Sequence, residues 1–265
     1  MSAVELLERG FWEGRHGVDA RRPIYPDPER IFLDYALHQV FCRHLPGAHG
    51  QRMMEFGCGS SIWLPYFARE WGLRLAGVDY SEPGLERSRE ILQRHDVKAE
   101  LLACDLFGPP PEGLEPCDLA FSLGLVEHFD PPCRVLERMA GMLAPGGRMF
   151  TWAPNTSGRI ARSTERLCRN LPRFYVPMDL NGLADQHRLA GLEVIESRYL
   201  QFLDLTLLFA TSLSPRSRRA LGALCRLASR VALAAERRRA QPRQSASWCA
   251  GMIVVARKPA GPAKV

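Results

Sequence analysis

Apolar positions change their spacing along this chain, and the changes predict its elements. Ile31, Phe32, Tyr35, Ala36 and Phe41 recur at helical spacing, which predicts a helix ending near His44. Asp27-Pro28-Glu29 reads as its start, with Asp27 as N-cap and Pro28 at the first helical position. From Arg52 onward the pattern becomes short apolar runs, at Arg52–Phe56, Arg74–Val78, Ala99–Cys104, Asp118–Ser122, Arg148–Ala153 and Leu192–Tyr199. Amphipathic stretches at Ile62–Trp71, Glu82–Arg94 and Cys133–Leu143 lie between them. Strands alternating with helices over short connections predict a doubly wound α/β fold, a mostly parallel sheet covered on both faces. A long helical, basic segment follows, and Ser247–Lys258 reads as one more strand.

The expected organisation is an N-terminal helical cap or lid over 1–48, a core over 49–200, a helical arginine-rich insertion over 201–246, a final strand over 247–258 and a tail over 259–265. Two helical stripes stand out. Ile160, Thr164, Leu167, Cys168 and Leu171 share one face, with Arg162, Arg166 and Arg169 away from it. Leu221, Leu224, Ala228, Val231 and Ala235 form a second stripe, with Arg219, Arg226, Arg230 and Arg237 on the opposite side. Such a basic amphipathic helix can make peripheral contact with an anionic membrane, or it can be a solvated outer helix.

Composition narrows the classes. At 46% hydrophobic and 24% charged, 265 residues suffice for one large domain with a sizeable core. The formal charge of +6 is concentrated: between Ser214 and Arg243 nine arginines accompany one glutamate, a local +8 that leaves the remainder at −2. The first residues carry Glu5, Glu8 and Glu13 without a long apolar stretch, so neither a secretory nor a transit peptide is expected. Phe202–Leu213 contains Asp204 and falls short of the ~20 residues a membrane span needs. The expectation is a soluble, cytoplasmic protein. Its eight cysteines include no C-x-x-C pair and no histidine pair has ligand spacing, so they read as free thiols and no metal site is expected.

The chemistry-bearing residues fall at predicted strand ends, where an open parallel sheet binds its ligands. Gly57 and Gly59 follow the first strand in MMEFGCGSS, with Ile62 where a dinucleotide-binding turn has its third glycine. Asp79 ends the second strand, placed to accept both hydroxyls of a ribose, and Asp105 ends the third, placed to accept from an exocyclic amine. No basic residue occurs between Met53 and Phe67, so nothing there is offered to a phosphate. Together these ends describe a site for a nucleoside without phosphates.

Glu55-Phe-Gly57-Cys-Gly59-Ser-Ser61, Val78-Asp79-Tyr80-Ser81, Cys104-Asp105-Leu106, Gly124-Leu-Val-Glu127-His128-Phe and Leu143-Ala-Pro145-Gly146-Gly147 resemble the ordered motifs of class I S-adenosylmethionine-dependent methyltransferases. The resemblance covers roughly residues 50–200 and the final strand, and departs from that family's glycine motif in placing Ser61 last. It implies S-adenosyl-L-methionine as cofactor and a seven-stranded sheet whose last strand runs antiparallel. It places Glu55 near the amino-acid end of the cofactor and Gly57, Cys58 and Gly59 along its methionine and ribose portions by backbone. Asp79 would hold the ribose hydroxyls, Tyr80 would lie beside the adenine, Asp105 and Leu106 would bracket it, and Leu123 would face the methionine part. The insertion from Pro154 to about Pro177 resembles that of ubiquinone-biosynthesis O-methyltransferases, and similar insertions occur in natural-product methyltransferases.

A sulfonium is already activated, so the protein need only align an acceptor and, where required, remove a proton. His128 is the candidate base, with Glu127 beside it; the alternative for both is a structural role at the turn to Asp130-Pro131. A small, apolar or amphipathic acceptor is expected, O-methylation first, with N- or C-methylation as alternatives; Phe174, Tyr175, Phe202, Leu203, Leu207 and Leu208 are candidates to line its pocket. Phe11, Trp12 and Tyr25 are candidates for a lid, and Arg15 and His16 for substrate contact. A nucleic-acid substrate is disfavoured, because Ser122-Leu123-Gly124-Leu125 lacks the Asn/Asp-Pro-Pro-aromatic signature that grips a flipped base. A non-catalytic membrane-surface module of the same fold is the alternative from a different class. Oligomeric state is not legible.

Overall fold

The computed structural model describes residues 4–5, 24–109, 111–167, 175–207 and 214–260. Helix α1 (Phe32–His44) leads into the first core strand, β1 (Arg52–Phe56). The chain then crosses through α2 (Trp63–Trp71) to β2 (Arg74–Asp79), and through α3 (Glu82–Arg94) to β3 (Glu100–Ala103). It returns to the other side of β1 as β4 (Cys117–Leu123), followed by α4 (Cys133–Gly141) and β5 (Leu143–Pro154). Helices α5 (Arg159–Leu167) and α6 (Leu180–Leu189) precede β6 (Glu193–Phe202), and α7 (Pro215–Glu236) precedes β7 (Cys249–Arg257).

These seven strands form one sheet in the order β3-β2-β1-β4-β5-β7-β6. Neighbours from β3 to β5 are parallel, and β7 runs antiparallel between β5 and β6. The reversal of strand order between β1 and β4 opens a crevice at their carboxyl ends. Both faces of the sheet are apolar in alternation. Met54, Ala76, Ala120, Met149 and Val254 pack on one side, with α4 and α6. Met53, Leu75, Leu119, Phe150 and Val255 pack on the other, with α1 and α2. Phe41 of α1 is the hub of that second layer, with ring centroids 5.0 Å from Phe67, 5.6 Å from Phe121 and 5.7 Å from Phe150.

Three local expectations are corrected. Helix α1 begins at Phe32 with Ile31 as N-cap, because Asp27 closes a turn instead of capping the helix. Its Oδ1 accepts from the amides of Glu29 and Arg30 at 3.2 Å, while its own amide donates to the buried Asp34 carboxylate at 2.7 Å. Strand β5 starts at Leu143, five residues before the expected Arg148, since Leu143 pairs with Cys117 across a bulge before Arg148 meets Leu119.

Helix α7 buries a different face from the one its apolar residues suggest. Cys225, Ser229, Leu233 and Glu236 point inward, whereas Leu224, Leu227 and Val231 are 64%, 60% and 63% exposed. Hydrogen bonding outweighs hydrophobicity here: Ser229 Oγ accepts from the Leu205 amide at 2.8 Å, and Glu236 Oε1 accepts from the Arg243 amide at 2.8 Å. Among the described residues no helix is long and apolar enough to cross a membrane. Cys58, Cys104, Cys117, Cys225 and Cys249 are buried free thiols, Cys133 is half-buried and Cys42 exposed.

Candidate active site

The loop after β1 is shaped by two left-handed glycines, Gly57 at φ 67° and Gly59 at φ 40°. The amides of Gly57 and Cys58 donate to the Val78 carbonyl at 2.8 and 3.2 Å, which folds the loop back over β2. A side chain at Gly57 would meet Leu125 Cδ1 at 3.0 Å, so glycine keeps the loop's outer surface open. Beneath the loop lies a buried polar chain. Ser61 Oγ donates to Glu55 Oε2 at 2.5 Å and accepts from the Trp63 and Leu64 amides at 3.1 Å, so this serine both caps α2 and ties it to β1. Ser88 of α3, fully buried, accepts from the Ser61 amide at 2.8 Å and donates to the Gly59 carbonyl.

Asp79 is aimed by the backbone on both sides. Its Oδ2 accepts from the Gly59 amide at 2.7 Å and its Oδ1 from the Ser81 amide at 2.8 Å. Asp105 Oδ1 accepts from the Phe107 amide at 3.0 Å. Arg138 of α4 fixes this turn from behind by donating to the carbonyls of Leu106, at 2.7 Å, and Gly108.

At the end of β4 the chain turns at Gly124, φ 66°, into a short 3-10 turn over Val126–His128. Glu127 is buried with Oε1 3.8 Å from His128 Nε2, and its Oε2 has no hydrogen-bond partner. Its carbonyl accepts from the Val176 amide at 2.7 Å, which ties the end of the insertion to this turn. The backbone of Val4–Glu5 pairs antiparallel with Phe129–Asp130, bringing an N-terminal stretch alongside.

An open cleft joins these strand ends. Of the sequence-predicted site residues it brings together Gly57, Asp79, Tyr80, Asp105, Leu106, Leu123 and His128. Glu55, Cys58, Gly59 and Glu127 are buried and do not line it. Phe107, Leu125 and Phe129 do line it and were not singled out from sequence; an apolar residue next to a turn carries no mark of facing a ligand. Ser88 was also missed, its signal being a polar residue at an inward position of α3. Tyr25 stacks on His95 at 5.1 Å and donates to Glu70 at 3.1 Å, away from the cleft lining. The lid and substrate candidates Phe11, Trp12, Arg15 and His16, and the pocket candidates Phe174 and Leu208, lie outside the described residues.

The residues present fit S-adenosylmethionine. Two carboxylates, Asp79 and Asp105, stand at neighbouring strand ends, and no lysine or arginine is among the described residues lining the cleft, so it suits a cation without phosphates. The Gly57 surface, which a Cβ would close against Leu125, leaves room for the ligand to approach the backbone.

Burial raises both hidden glutamates. Glu55 is pushed from 4.5 to about 8 by desolvation, opposed by the Ser61 hydrogen bond and reinforced by Asp79. Glu127 is likewise pushed from 4.5 to about 8 by desolvation. His187, buried against Leu183 O and Thr151 Oγ1, is lowered from 6.5 to about 4 by desolvation. A raised carboxyl makes the folded state bind more protons than the unfolded state between the two values, so stability falls as pH rises through that window. A lowered histidine contributes the opposite slope, but only below 6.5. The expected result is a ligand-free protein whose urea midpoint drops between pH 6.5 and about 8, above the range in which Asp34 and His187 contribute, with Glu127→Gln removing about half of that slope. A midpoint that rises across this interval would contradict the two neutral carboxyls.

Residues 30–197 match the model of a family described as a methyltransferase domain. A ubiquinone biosynthesis O-methyltransferase of Bordetella avium is 26% identical over 204 residues, covering 70% of this chain and 82% of that one. Among solved structures, the putative methyltransferase of a Haloferax volcanii activator complex superposes with a TM-score of 0.61 at 20% identity, covering 94% of this chain and 97% of that one. A Haemonchus contortus phosphoethanolamine N-methyltransferase, crystallised with S-adenosylhomocysteine, gives a TM-score of 0.60 at 20% identity, covering 84% of this chain and 52% of that one.

Proposed function

Because this chain belongs to the methyltransferase-domain family and is an S-adenosylmethionine-dependent methyltransferase, we propose that it methylates the hydroxyl of a small apolar or amphipathic acceptor. The observation that carries this reading is His128 on the wall of a cleft otherwise rich in Leu106, Phe107, Leu123, Leu125 and Phe129. Phe107 and Phe129 lie with ring centroids 5.5 Å apart and extend an apolar wall beside the imidazole. The similarity to O-methyltransferases of ubiquinone biosynthesis points the same way.

In this reading Asp79 holds the ribose hydroxyls and Asp105 the adenine amine, with Tyr80 and Leu106 against the base. Gly57, Cys58 and Gly59 contribute backbone, and Leu123 faces the methionine portion. Glu55 anchors the loop through Ser61, near the amino-acid end of the cofactor. The bound cofactor supplies an electrophilic methyl group on a sulfonium. The apolar wall excludes water and orients the acceptor, while His128 takes the proton from the acceptor oxygen. Glu127, 3.8 Å away from Nε2, acts through His128 by positioning the ring.

The direct test offers the protein phenols and catechols with and without alkyl tails, alongside matched amines, and reads S-adenosylhomocysteine release and the methylated atom by mass spectrometry. Methylated oxygen on tailed acceptors is expected. Methyl found only on nitrogen or carbon, or only on untailed polar acceptors, would sink the proposal.

A further inference from the structure

Helix α5 carries a second, separate surface concavity, walled by Arg159, Ile160, Arg162, Ser163, Arg166, Leu205 and Trp248. We infer that it is a binding site for a phosphoryl anion, a phosphate ester or a phospholipid headgroup. The inference is independent of the acceptor reading above, because none of these residues lines the cofactor cleft.

The three arginines recur at i, i+3 and i+7, which sets their guanidinium groups on one side of α5. Like charges at that spacing weaken a helix slightly, and an anion seated between them would relieve that repulsion. On α3 and α6 several arginines have a nearby carboxylate: Arg87 pairs with Glu90, Arg89 with Glu82 and Glu86, and Arg188 with Asp185. Arg159, Arg162 and Arg166 have none among the described residues. The acidic residue on their own helix, Glu165, accepts from the Tyr175 hydroxyl at 2.8 Å.

The site is also organised. The Arg159 guanidinium sits 5.1 Å from the centre of the Trp248 ring, and its backbone amide donates to the Ser247 carbonyl at 2.8 Å, which ties both ends of this residue to the segment before β7. Ser163 adds a hydroxyl donor on the same wall. Three planar forks and a hydroxyl match the several oxygens of a phosphoryl group better than the two of a carboxylate. The pocket stands at the carboxyl edge of the sheet, beyond the end of β5 and the start of β7, which is also the edge that carries the cleft. Tyr175, bonded to α5 through Glu165, is followed by Val176, whose amide reaches the Glu127 carbonyl. An anion seated on α5 is thereby one short hydrogen-bonded segment from the turn that carries His128.

The experiment uses the full chain and two probes, inorganic pyrophosphate and vesicles of equal parts phosphatidylcholine and phosphatidylglycerol. Binding is read by calorimetry for the first and co-sedimentation for the second. Arg162→Gln/Arg166→Gln, both exposed and so compatible with folding, is expected to weaken binding by at least about tenfold while leaving S-adenosylhomocysteine affinity unchanged. Arg226→Gln/Arg230→Gln on α7 is expected to leave it intact, which separates a site from general basicity. Saturable pyrophosphate binding alone assigns a soluble phosphate ester, vesicle binding alone assigns a headgroup, and both together assign the phosphoryl group as such. Binding to neither probe, binding that survives the α5 substitution, or equal loss in the α7 variant overturns the inference.

Discussion

Asp79→Ala is expected to abolish the calorimetric signal of S-adenosylhomocysteine binding at concentrations where the unaltered protein is saturated. The carboxylate is presented at the end of β2 by two backbone amides, from Gly59 and Ser81, and so is set before any ligand arrives. A hydrogen bond to a charged group contributes about 1.5–3 kcal/mol, and two ribose hydroxyls on one carboxylate put the loss at roughly 3 kcal/mol or more, about a hundredfold in affinity. The substitution also frees the Gly59 amide, so Asp79→Asn serves as the companion: it preserves an acceptor for the loop but removes the charge, and an intermediate affinity is expected. Wild-type affinity in the alanine variant would remove Asp79 from the cofactor site. A lowered melting temperature with unchanged affinity would assign it to the loop alone.

His128→Ala is expected to lower kcat by about 10²–10⁴-fold at neutral pH, with S-adenosylhomocysteine affinity and acceptor KM little changed. The distinguishing readout is the pH profile. A base that must be neutral gives a kcat that rises through its titration, so the variant should lose that rise and keep only the dependence set by the acceptor's own hydroxyl. Imidazole added to the variant should restore part of the rate. Glu127→Gln should shift the profile and leave the rise in place, because its side chain is buried and absent from the cleft wall. Intact turnover in His128→Ala, or equal losses in kcat and cofactor affinity, would return the histidine to the structural role that its place in a 3-10 turn also permits.

The sheet and the carboxylates were readable in the sequence for a physical reason. Strands buried on both faces are short, continuous apolar runs, and an acid immediately after such a run has one place to go, the carboxyl edge of the sheet. That is how Asp79 and Asp105 were located. The distinction between Glu127 and His128 was not readable, since two polar residues in a tight turn differ in direction only once the turn is built. Helix α7 shows a different failure. Apolar periodicity marks Leu224 and Val231 as one stripe, but the inward stripe is held by Ser229 and Glu236 accepting backbone amides from a neighbouring turn and from the chain beyond the helix. Hydrogen-bond demand from distant backbone leaves no trace in hydropathy. Asp27 misled for the same reason, its amide being claimed by Asp34.

The place of β7 in the sheet carries a consequence for how the protein is made. As the chain leaves the ribosome, each strand from β2 to β5 finds a neighbour already synthesised. Strand β6 does not, because its ladder is to β7, which follows it in the chain and slots between it and β5. Until that final segment emerges, β6 has no hydrogen-bonding partner in the sheet and β5 presents an open edge, the kind of template that recruits another nascent chain. A chain interrupted before residue 249 therefore loses two strands' worth of sheet rather than one, and its vulnerability to misassembly peaks just before β7 emerges.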